Sequence, residues 1–234
     1  MKLGIMQPYF FPYLGYFDLI RYTNRWIIFD TPQYIRHGWI NRNRILHPTK
    51  GWQYIIAPLK RHIRETPISA IEVVEGNAWK ERILDQLAHY KRYAPYFHET
   101  IELIRECLNT SERYISKING RCLNIVCQHL GITFAEEYFS EMKLDTSPVE
   151  HAGDWALRIT EALGYETYVN PIGGKTIFDP KKYDAAGIEL VLRPFTNMEY
   201  ACPGYTYESG LSIIDVLMWN EREQIMHFLD LGKP

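Results

Sequence analysis

Cysteines are few in this sequence, and none is spaced for metal binding. Four occur among 234 residues, at Cys107, Cys122, Cys127 and Cys202. Because no CxxC motif or other typical pair of ligands is present, we expect free thiols rather than a disulfide framework or a structural zinc site. The sequence indicates no metal and no bound cofactor.

Long apolar runs and internal repeats are absent as well. No stretch reaches the ~18 consecutive apolar residues of a membrane span. Gln7, Pro8 and Pro12 interrupt the apolar residues near the N-terminus, which argues against a signal peptide. With 46% hydrophobic and 23% charged residues, the chain is predicted to be a soluble cytoplasmic protein with a sizeable core.

Acidic residues are missing from one long segment, residues 31–64, although the net charge of the whole chain is −2. We call it the basic segment; its positive charges are Arg36, Arg42, Arg44, Lys50, Lys60, Arg61 and Arg64. Charges of one sign focus their field within a cleft, so we predict an anionic small-molecule substrate. A solvated lobe or a contact between subunits of a homo-oligomer is the alternative. Without an overall basic excess, a nucleic-acid substrate is not expected.

The first thirty residues alternate between apolar runs and a loop. An apolar run at 3–6 is followed by an aromatic loop, a helical pattern through Ile20 and a second apolar run at 26–29 that ends on Asp30. This order predicts strand, loop, helix and strand. Ligands bind outside the carboxyl ends of the strands in open α/β sheets, so we expect loop 7–16 and the Asp30 carboxylate to face one pocket.

Strand and helix signals continue to alternate, which predicts an α/β fold with a mostly parallel, Rossmann-like sheet and helices on both faces. β-rich segments at 33–40, 44–46, 52–58 and 68–74 form a basic insertion at about 31–75. A helical segment follows at about 78–130, with helices at 78–93, 95–108 and 111–130, the last capped by Ser111 and ended by Gly131. Further strands are expected at 132–139, 167–170 and 188–192, and helices at 154–163, 179–185, 212–219 and 222–231. We expect one domain over 1–234.

The loop Tyr13-Leu14-Gly15-Tyr16 resembles the loop that carries a histidine pair in nucleotidylyltransferase-like and pantothenate-synthetase-like folds. In both cases it follows the first strand and opens a helix. The resemblance implies that Gly15 lets a nucleotide approach the helix N-terminus, whose free N–H groups favour phosphate. Both histidines are tyrosines here, and a phenol with a pKa near 10 is no cationic donor at neutral pH. This departure argues against the usual adenylylation chemistry.

A second motif is Gly38-Trp39-Ile40-Asn41-Arg42-Asn43-Arg44. In an extended chain, alternate side chains share a face, so Trp39, Asn41 and Asn43 would lie opposite Ile40, Arg42 and Arg44. Guanidiniums bind phosphate or carboxylate with two hydrogen bonds, and an indole beside amides suits a base or a sugar. The alternative is a charged hairpin edge that prevents aggregation.

Two further motifs lie in the C-terminal part of the chain. A predicted strand ends at Asn170 and continues into Gly173-Gly174-Lys175, a possible anion nest in which Lys175 neutralises a phosphate; a plain turn fits equally well. Ser212 and Asp215 are best interpreted as the cap and capping box of a core helix, with a ligand-facing role as the alternative. The histidines of the basic segment, His37, His47 and His62, are interpreted as surface residues that tune its charge.

Together, four motifs resemble those of the WbqC-like family of bacteria. They are Gln7-Pro8-Tyr9-Phe10-x-Pro-Tyr-x-Gly-Tyr-Phe, Gly38 to Asn43, Asn170-Pro171-x-Gly173-Gly174-Lys175 and Leu211 to Asp215. The resemblance extends over nearly the whole chain. It implies a role in surface-polysaccharide (O-antigen) biosynthesis, in attaching an amino acid such as glycine to an amino sugar. It does not identify the catalytic residues.

Aminoacyl or acyl transfer to a sugar amine on a nucleotide or lipid diphosphate needs an anion site, a general base and donors for the tetrahedral oxyanion. We predict Asp30 as the base, with its pKa raised by burial, and Gln7 and Tyr16 as orienting or oxyanion-binding groups. The candidate ligand-binding residues are Pro8, Tyr9, Tyr13, Gly15, Trp39, Asn41, Arg42, Asn43, Arg44, Asn170, Gly173, Gly174, Lys175, Ser212 and Asp215.

Two other functions are compatible with the same residues. One is an ATP-dependent ligase that forms an acyl adenylate, and the other is a non-catalytic nucleotide-sugar-binding partner of a polysaccharide enzyme. A thioester or aminoacyl-tRNA is a possible carrier of the acyl group. All of these interpretations require the aromatic loop and the basic segment to line a common cavity, which Tyr16, Arg42 and Arg44 should reach. A Tyr16 deep in packing, with Arg42 and Arg44 on an outer rim, would contradict the mechanism assigned to these residues.

Overall fold

The predicted alternation of strands and helices is present in a computed structural model of the protein, which describes residues 1–232. The strands are β1 (Lys2–Met6), β2 (Arg25–Ile28), β3 (Arg42–Leu46), β4 (Trp52–Ile56), β5 (Thr167–Pro171) and β6 (Glu189–Arg193). The helices are α1 (Leu14–Tyr22), α2 (Ala78–Leu87), α3 (Phe97–Leu108), α4 (Ile115–Leu130), α5 (Asp154–Ala162), α6 (Pro180–Ala185), α7 (Ile213–Trp219) and α8 (Arg222–Leu231).

A four-stranded parallel sheet in the order β2-β1-β5-β6 confirms the α/β class, and β3 and β4 form a separate antiparallel hairpin. Side chains alternate across the sheet as the strand repeat requires. Leu3 and Ile5 pack in a cluster with α5 and α6, whereas Trp26 and Ile28 pack with α1 on the other face. Helices therefore cover both faces. Gly4 is needed where the strands meet, because a Cβ there would lie 2.4 Å from the Trp26 ring.

The basic insertion shares its core with the helical segment. Ile45 and Ile55 of the hairpin belong to the same buried cluster as Ile83 of α2 and Ile104 of α3. The cluster also includes residues of α1 and α7, so the hairpin is supported from several elements. This packing sets the position of the basic segment beside the sheet.

Several predicted β segments are not strands. Residues 132–139 contribute a single parallel bridge, Ile28 to Tyr138, because the chain then turns at Phe139–Glu141 and leaves the sheet edge. Segments 33–40 and 68–74 form isolated bridges such as Gln33 to Pro67, where proline has no N–H with which to extend a ladder.

Helix boundaries also differ in two places. The helix predicted over 78–93 ends at Leu87 and continues as a tighter 3-10 turn, Ala88–Arg92. Ser111 does not cap α4, which begins at Ile115, because Glu112 accepts the N–H groups of Arg113 and Tyr114 and holds a turn there. The predicted stop at Gly131 is confirmed by its left-handed conformation (φ +74°). Among residues 1–232, no helix is long and apolar enough to cross a membrane.

Candidate functional site

A cavity of about 1310 Å³ lies at the carboxyl ends of β1, β2 and β5. We call it the carboxyl-end cavity. Its position agrees with the expectation for an open parallel sheet. The residues that line it are Ile5, Met6, Gln7, Tyr9, Tyr13, Phe29, Pro32, Gln33, Tyr34, Ile35, Arg36, His62, Arg64, Ala152, Trp155, Ala156, Tyr168, Asn170, Pro171, Gly173, Gly174, Ile177 and Phe178. The aromatic loop and the basic segment thus meet in one cavity.

Gln7 enters the cavity directly after β1. Its backbone oxygen accepts a hydrogen bond from the Tyr16 hydroxyl at 2.8 Å, which holds the peptide in place. Among residues 1–232, its side-chain amide has no hydrogen-bond partner, so it can donate to or accept from a ligand. Tyr16 itself is 1% exposed and lies outside the cavity lining. Tyr16 therefore orients the Gln7 peptide, which is one of its two predicted roles, but it does not reach the cavity as we expected.

Aromatic side chains form much of the cavity wall. Tyr9 packs against Tyr16 at 5.6 Å between ring centroids, and Tyr13 meets Phe195 edge-on. Burial raises the pKa of the Tyr9 and Tyr13 hydroxyls, so both are neutral phenols at physiological pH. Trp155 extends the wall from α5. Such rings suit the faces of a nucleobase or a sugar.

The charge in the cavity is positive. Arg36, His62 and Arg64 line it, and no Asp or Glu is present among its described lining residues. Neither Arg36 nor Arg64 has an ion-pair or hydrogen-bond partner within the described part of the chain. Unpaired guanidiniums in a cavity without carboxylates favour an anionic ligand.

His62 is held in one orientation by its surroundings. Its Nδ1 lies 2.9 Å from the backbone oxygen of Lys60, and its ring meets the Tyr34 ring edge-on at 5.1 Å. The Tyr34 hydroxyl donates to Oδ1 of Asn41 at 2.8 Å, and Nδ2 of Asn41 donates to the backbone oxygen of Ala57 at 3.0 Å. Asn41 lies outside the cavity lining and supports it from behind.

The turn after β5 borders the cavity. Asn170 is buried, and its Oδ1 accepts from the Tyr168 hydroxyl at 2.9 Å. Gly173 and Gly174 line the cavity, but Lys175 is exposed and lies outside the lining. The glycines are thus placed to meet a ligand and the lysine is not.

The arginines of the second motif lie outside the cavity lining. Arg42 stacks over Tyr54 at 4.2 Å, and its Nη2 donates to the backbone oxygen of His37 at 2.6 Å. Arg44 lies over Trp39 and Trp52, at 5.5 and 5.1 Å from the ring centroids. These contacts take Arg42, Arg44 and Trp39 to the outer face of the hairpin, so the expectation that Arg42 and Arg44 reach the cavity is corrected.

Asp30 does not face the cavity either. Its side chain is 0% exposed, and its two oxygens accept from the backbone N–H of Ser140 at 3.0 Å and from the Ser140 hydroxyl at 2.7 Å. Burial raises the pKa of Asp30, while the bonds from Ser140 oppose this effect. The carboxylate anchors the turn after residue 138 to the end of β2. The expectation that Asp30 is the general base is therefore wrong.

Other motif residues hold the aromatic loop in shape. Nδ2 of Asn43 donates to the backbone oxygens of Phe10 and Phe11 at 3.0 and 2.9 Å, and the Ser212 hydroxyl donates to that of Phe11 at 2.7 Å. Phe11 has a positive φ of 41°, which is rare for a residue with a side chain. The buried oxygen of Pro8 accepts from Asn119 at 2.8 Å. Motifs far apart in sequence thus form one support for the loop.

Gly15, Ser212 and Asp215 contact other parts of the protein, and none of them lines the cavity. A Cβ on Gly15 would lie 2.6 Å from the Phe195 ring, so side chains occupy the space envisaged for a nucleotide. Ser212 caps α7, as predicted, by accepting from the N–H of Ile214. Asp215 forms no capping box; its carboxylate accepts from the hydroxyls of Tyr90 and Tyr200.

Sequence reasoning missed Tyr34, Arg36, His62, Arg64 and Trp155 as cavity residues. The absence of acidic residues from 31–64 was a signal for the two arginines, but no local pattern distinguished them from Arg42 and Arg44. Their position depends on the path of the chain between Asp30 and β3, which no regular element determines.

Comparisons with known proteins agree with the motifs. Residues 7–227 match the model of a family described as the WbqC-like protein family. The uncharacterized protein Rv1507c of Mycobacterium tuberculosis (strain ATCC 25618 / H37Rv) is 26% identical over 224 residues, which cover 92% of this chain and 92% of that protein. No solved structure matches the chain.

Proposed function

The chain belongs to the WbqC-like protein family, and from this premise we propose that it is an acyl or aminoacyl transferase of surface-polysaccharide biosynthesis. The proposed acceptor is an amino sugar on a nucleotide or lipid diphosphate carrier, and glycyl is an example of the transferred group. The observation that carries the proposal is a carboxyl-end cavity with aromatic walls and two arginines, Arg36 and Arg64. Among residues 1–232 these arginines have no ion-pair partner, and no carboxylate lines the cavity.

Each part of the cavity has a role in this proposal. Arg36 and Arg64 bind the diphosphate, since guanidiniums form paired hydrogen bonds with phosphate oxygens. Tyr9, Tyr13 and Trp155 contact the base or the sugar. The unpartnered amide of Gln7 donates to the oxyanion that develops on the acyl carbonyl, the position where a fixed donor accelerates transfer most.

Calorimetric titration with UDP-glucosamine tests the binding part of the proposal. We expect Arg36→Ala and Arg64→Ala each to weaken binding by about tenfold or more, because a charge-assisted hydrogen bond contributes roughly 1.5–3 kcal/mol. Arg61→Ala is the matched control, because Arg61 belongs to the same basic segment, is exposed and lies outside the cavity lining. Equal effects of all three substitutions would contradict a diphosphate site in the cavity.

The reaction is tested by supplying UDP-glucosamine with three glycyl donors: a glycyl thioester, glycyl-tRNA, and free glycine with ATP. Formation of the glycyl amide from either of the first two supports transfer. Release of AMP and pyrophosphate with the third would support the ATP-dependent ligase instead. Binding of UDP-glucosamine without turnover of any donor would support a non-catalytic sugar-nucleotide-binding protein.

A further inference from the structure

We propose that His62 is the general base of the transfer reaction, an assignment that rests on the proposed function. Because the Asp30 carboxylate does not face the cavity, the proposed reaction needs another proton acceptor. Among the described lining residues of the cavity there is no Asp, Glu, Lys or Cys. Burial raises the pKa of the lining tyrosines Tyr9, Tyr13, Tyr34 and Tyr168, so their phenols keep their protons. Arginine does not deprotonate in proteins, and the imidazole of His62 remains.

The hydrogen bonds of His62 define which nitrogen acts. A backbone carbonyl only accepts, so the 2.9 Å contact with Lys60 places the proton of the neutral ring on Nδ1. Nε2 then carries the free lone pair. Within residues 1–232 it has no hydrogen-bond partner, and it is not among the buried unpartnered atoms. Nε2 is therefore an open acceptor on a residue that lines the cavity.

Rigid support keeps the imidazole in this orientation. Tyr34 is buried and contacts the ring edge-on, and its hydroxyl is held by Asn41. Asn41 in turn is tied to Ala57, beside the end of β4. Asn41 and Tyr34 are positioning residues, which gives a physical reason for the asparagine in the motif Trp39-Ile40-Asn41. A base held in one tautomer by a backbone acceptor needs no reorganisation before it takes a proton.

The proposed step balances with an acyl thioester or ester as donor. The nitrogen of the sugar amine attacks the carbonyl carbon, and a C–N bond forms as the tetrahedral intermediate develops. Nε2 of His62 takes one proton from that nitrogen. The C–S or C–O bond then breaks, and His62 returns the proton to the departing thiolate or alkoxide, so the imidazole is neutral again.

His62→Asn tests the assignment, because the asparagine amide can still donate to the Lys60 carbonyl but offers no basic nitrogen. With UDP-glucosamine and a glycyl thioester, we expect the single-turnover rate of amide formation to fall by about 10²–10⁴-fold. The affinity for UDP-glucosamine should change by less than about threefold, since the guanidiniums carry the phosphate contacts. Added imidazole should restore part of the rate in His62→Ala.

His37→Asn is the matched control. His37 is an exposed histidine of the same segment, it lies outside the cavity lining, and its φ of 66° suits asparagine. We expect its rate to equal that of the unaltered protein. A His62→Asn variant that keeps the full rate would overturn the assignment and leave the proposed function standing. An unaltered protein that binds UDP-glucosamine and transfers from no donor would overturn both.

Discussion

Gly173 and Gly174 show how neighbouring residues of one type take different roles at the residue scale. A Cβ on Gly174 would lie 2.1 Å from Nδ2 of Asn170, so a side chain at this position would displace the Asn170 amide at the end of β5. A Cβ on Gly173 would meet no atom within 4 Å. Both line the carboxyl-end cavity. The sequence motif contains both glycines, but only the structure shows that Gly174 packs against Asn170 whereas Gly173 faces open space.

Replacing Gly173 with leucine should close part of the cavity without disturbing the fold. The side chain would extend into the cavity in which we propose that the sugar nucleotide binds. We therefore expect the affinity for UDP-glucosamine to fall about tenfold or more, the equivalent of roughly 1.4 kcal/mol. The midpoint of thermal unfolding should stay within about 2 °C of that of the unaltered protein, because no packed atom is displaced. Lys175→Leu adds the same side chain to the same turn outside the cavity lining and is expected to leave affinity unchanged. Weaker binding by Lys175→Leu would show that the lysine contacts the ligand.

At the scale of elements, helix α7 is joined to two neighbours by a buried carboxylate. Asp215 of α7 accepts from Tyr90 in the 3-10 turn after α2 and from Tyr200 in the segment before α7. Burial raises the pKa of Asp215 to about 6, although the tyrosine hydroxyls oppose the shift. The neutral carboxylic acid is therefore favoured in the folded state more than in the unfolded chain, where the pKa of aspartate is about 3.9.

This difference predicts that the contribution of Asp215 to the free energy of unfolding rises as the solution becomes more acidic. As pH falls from about 6 to about 4, the folded protein takes up a proton at Asp215 before the unfolded chain does, so this residue adds about 3 kcal/mol to the free energy of unfolding. The contribution is complete below about pH 4 and lost above about pH 6. Urea unfolding at several pH values measures it.

Two variants check the assignment to Asp215. Asp215→Asn should remove this part of the pH dependence, since the amide does not titrate. Tyr200→Phe removes a hydrogen bond that lowers the pKa of Asp215, so the pH dependence should extend to higher pH. A pH profile that is unchanged in Asp215→Asn would assign the dependence to another group.

For the molecule as a whole, the sequence predicted the sheet and the place of the cavity better than the residues in it. Apolar runs flanked by helical patterns were enough to predict β1, β2, β5 and β6, and their common direction determines where the carboxyl ends meet. Local alternation also predicted that Asn43 and Arg44 of β3 lie on opposite faces. It failed for Trp39, because the chain at 37–41 is not a strand and Trp39 packs on the side of Arg44. Contacts between distant segments decide such cases, and periodicity does not describe them.

The fold divides the positive charge of the basic segment between separate places. Lys60 pairs with Glu72 and Glu75, and Arg42 and Arg44 lie against aromatic rings on the hairpin. Arg36 and Arg64, by contrast, line the carboxyl-end cavity. In the proposed function, the long-range field of the whole segment and the short-range contacts of the two cavity arginines are therefore distinct contributions to binding. The dependence of the binding rates on salt concentration distinguishes them.

Raising the salt concentration from about 0.01 M to about 0.15 M shortens the screening length from about 30 Å to about 8 Å. We expect the association rate of UDP with the unaltered protein, followed by stopped-flow tyrosine and tryptophan fluorescence, to fall severalfold over this range, because steering by distant charges is screened.

Arg42→Gln should weaken this salt dependence while leaving the dissociation rate unchanged, since Arg42 contributes to the field without lining the cavity. Arg64→Gln should raise the dissociation rate as well, because the proposed contact of its guanidinium with the phosphate would be lost. If Arg42→Gln raised the dissociation rate as much as Arg64→Gln, the hairpin face and not the carboxyl-end cavity would hold the diphosphate.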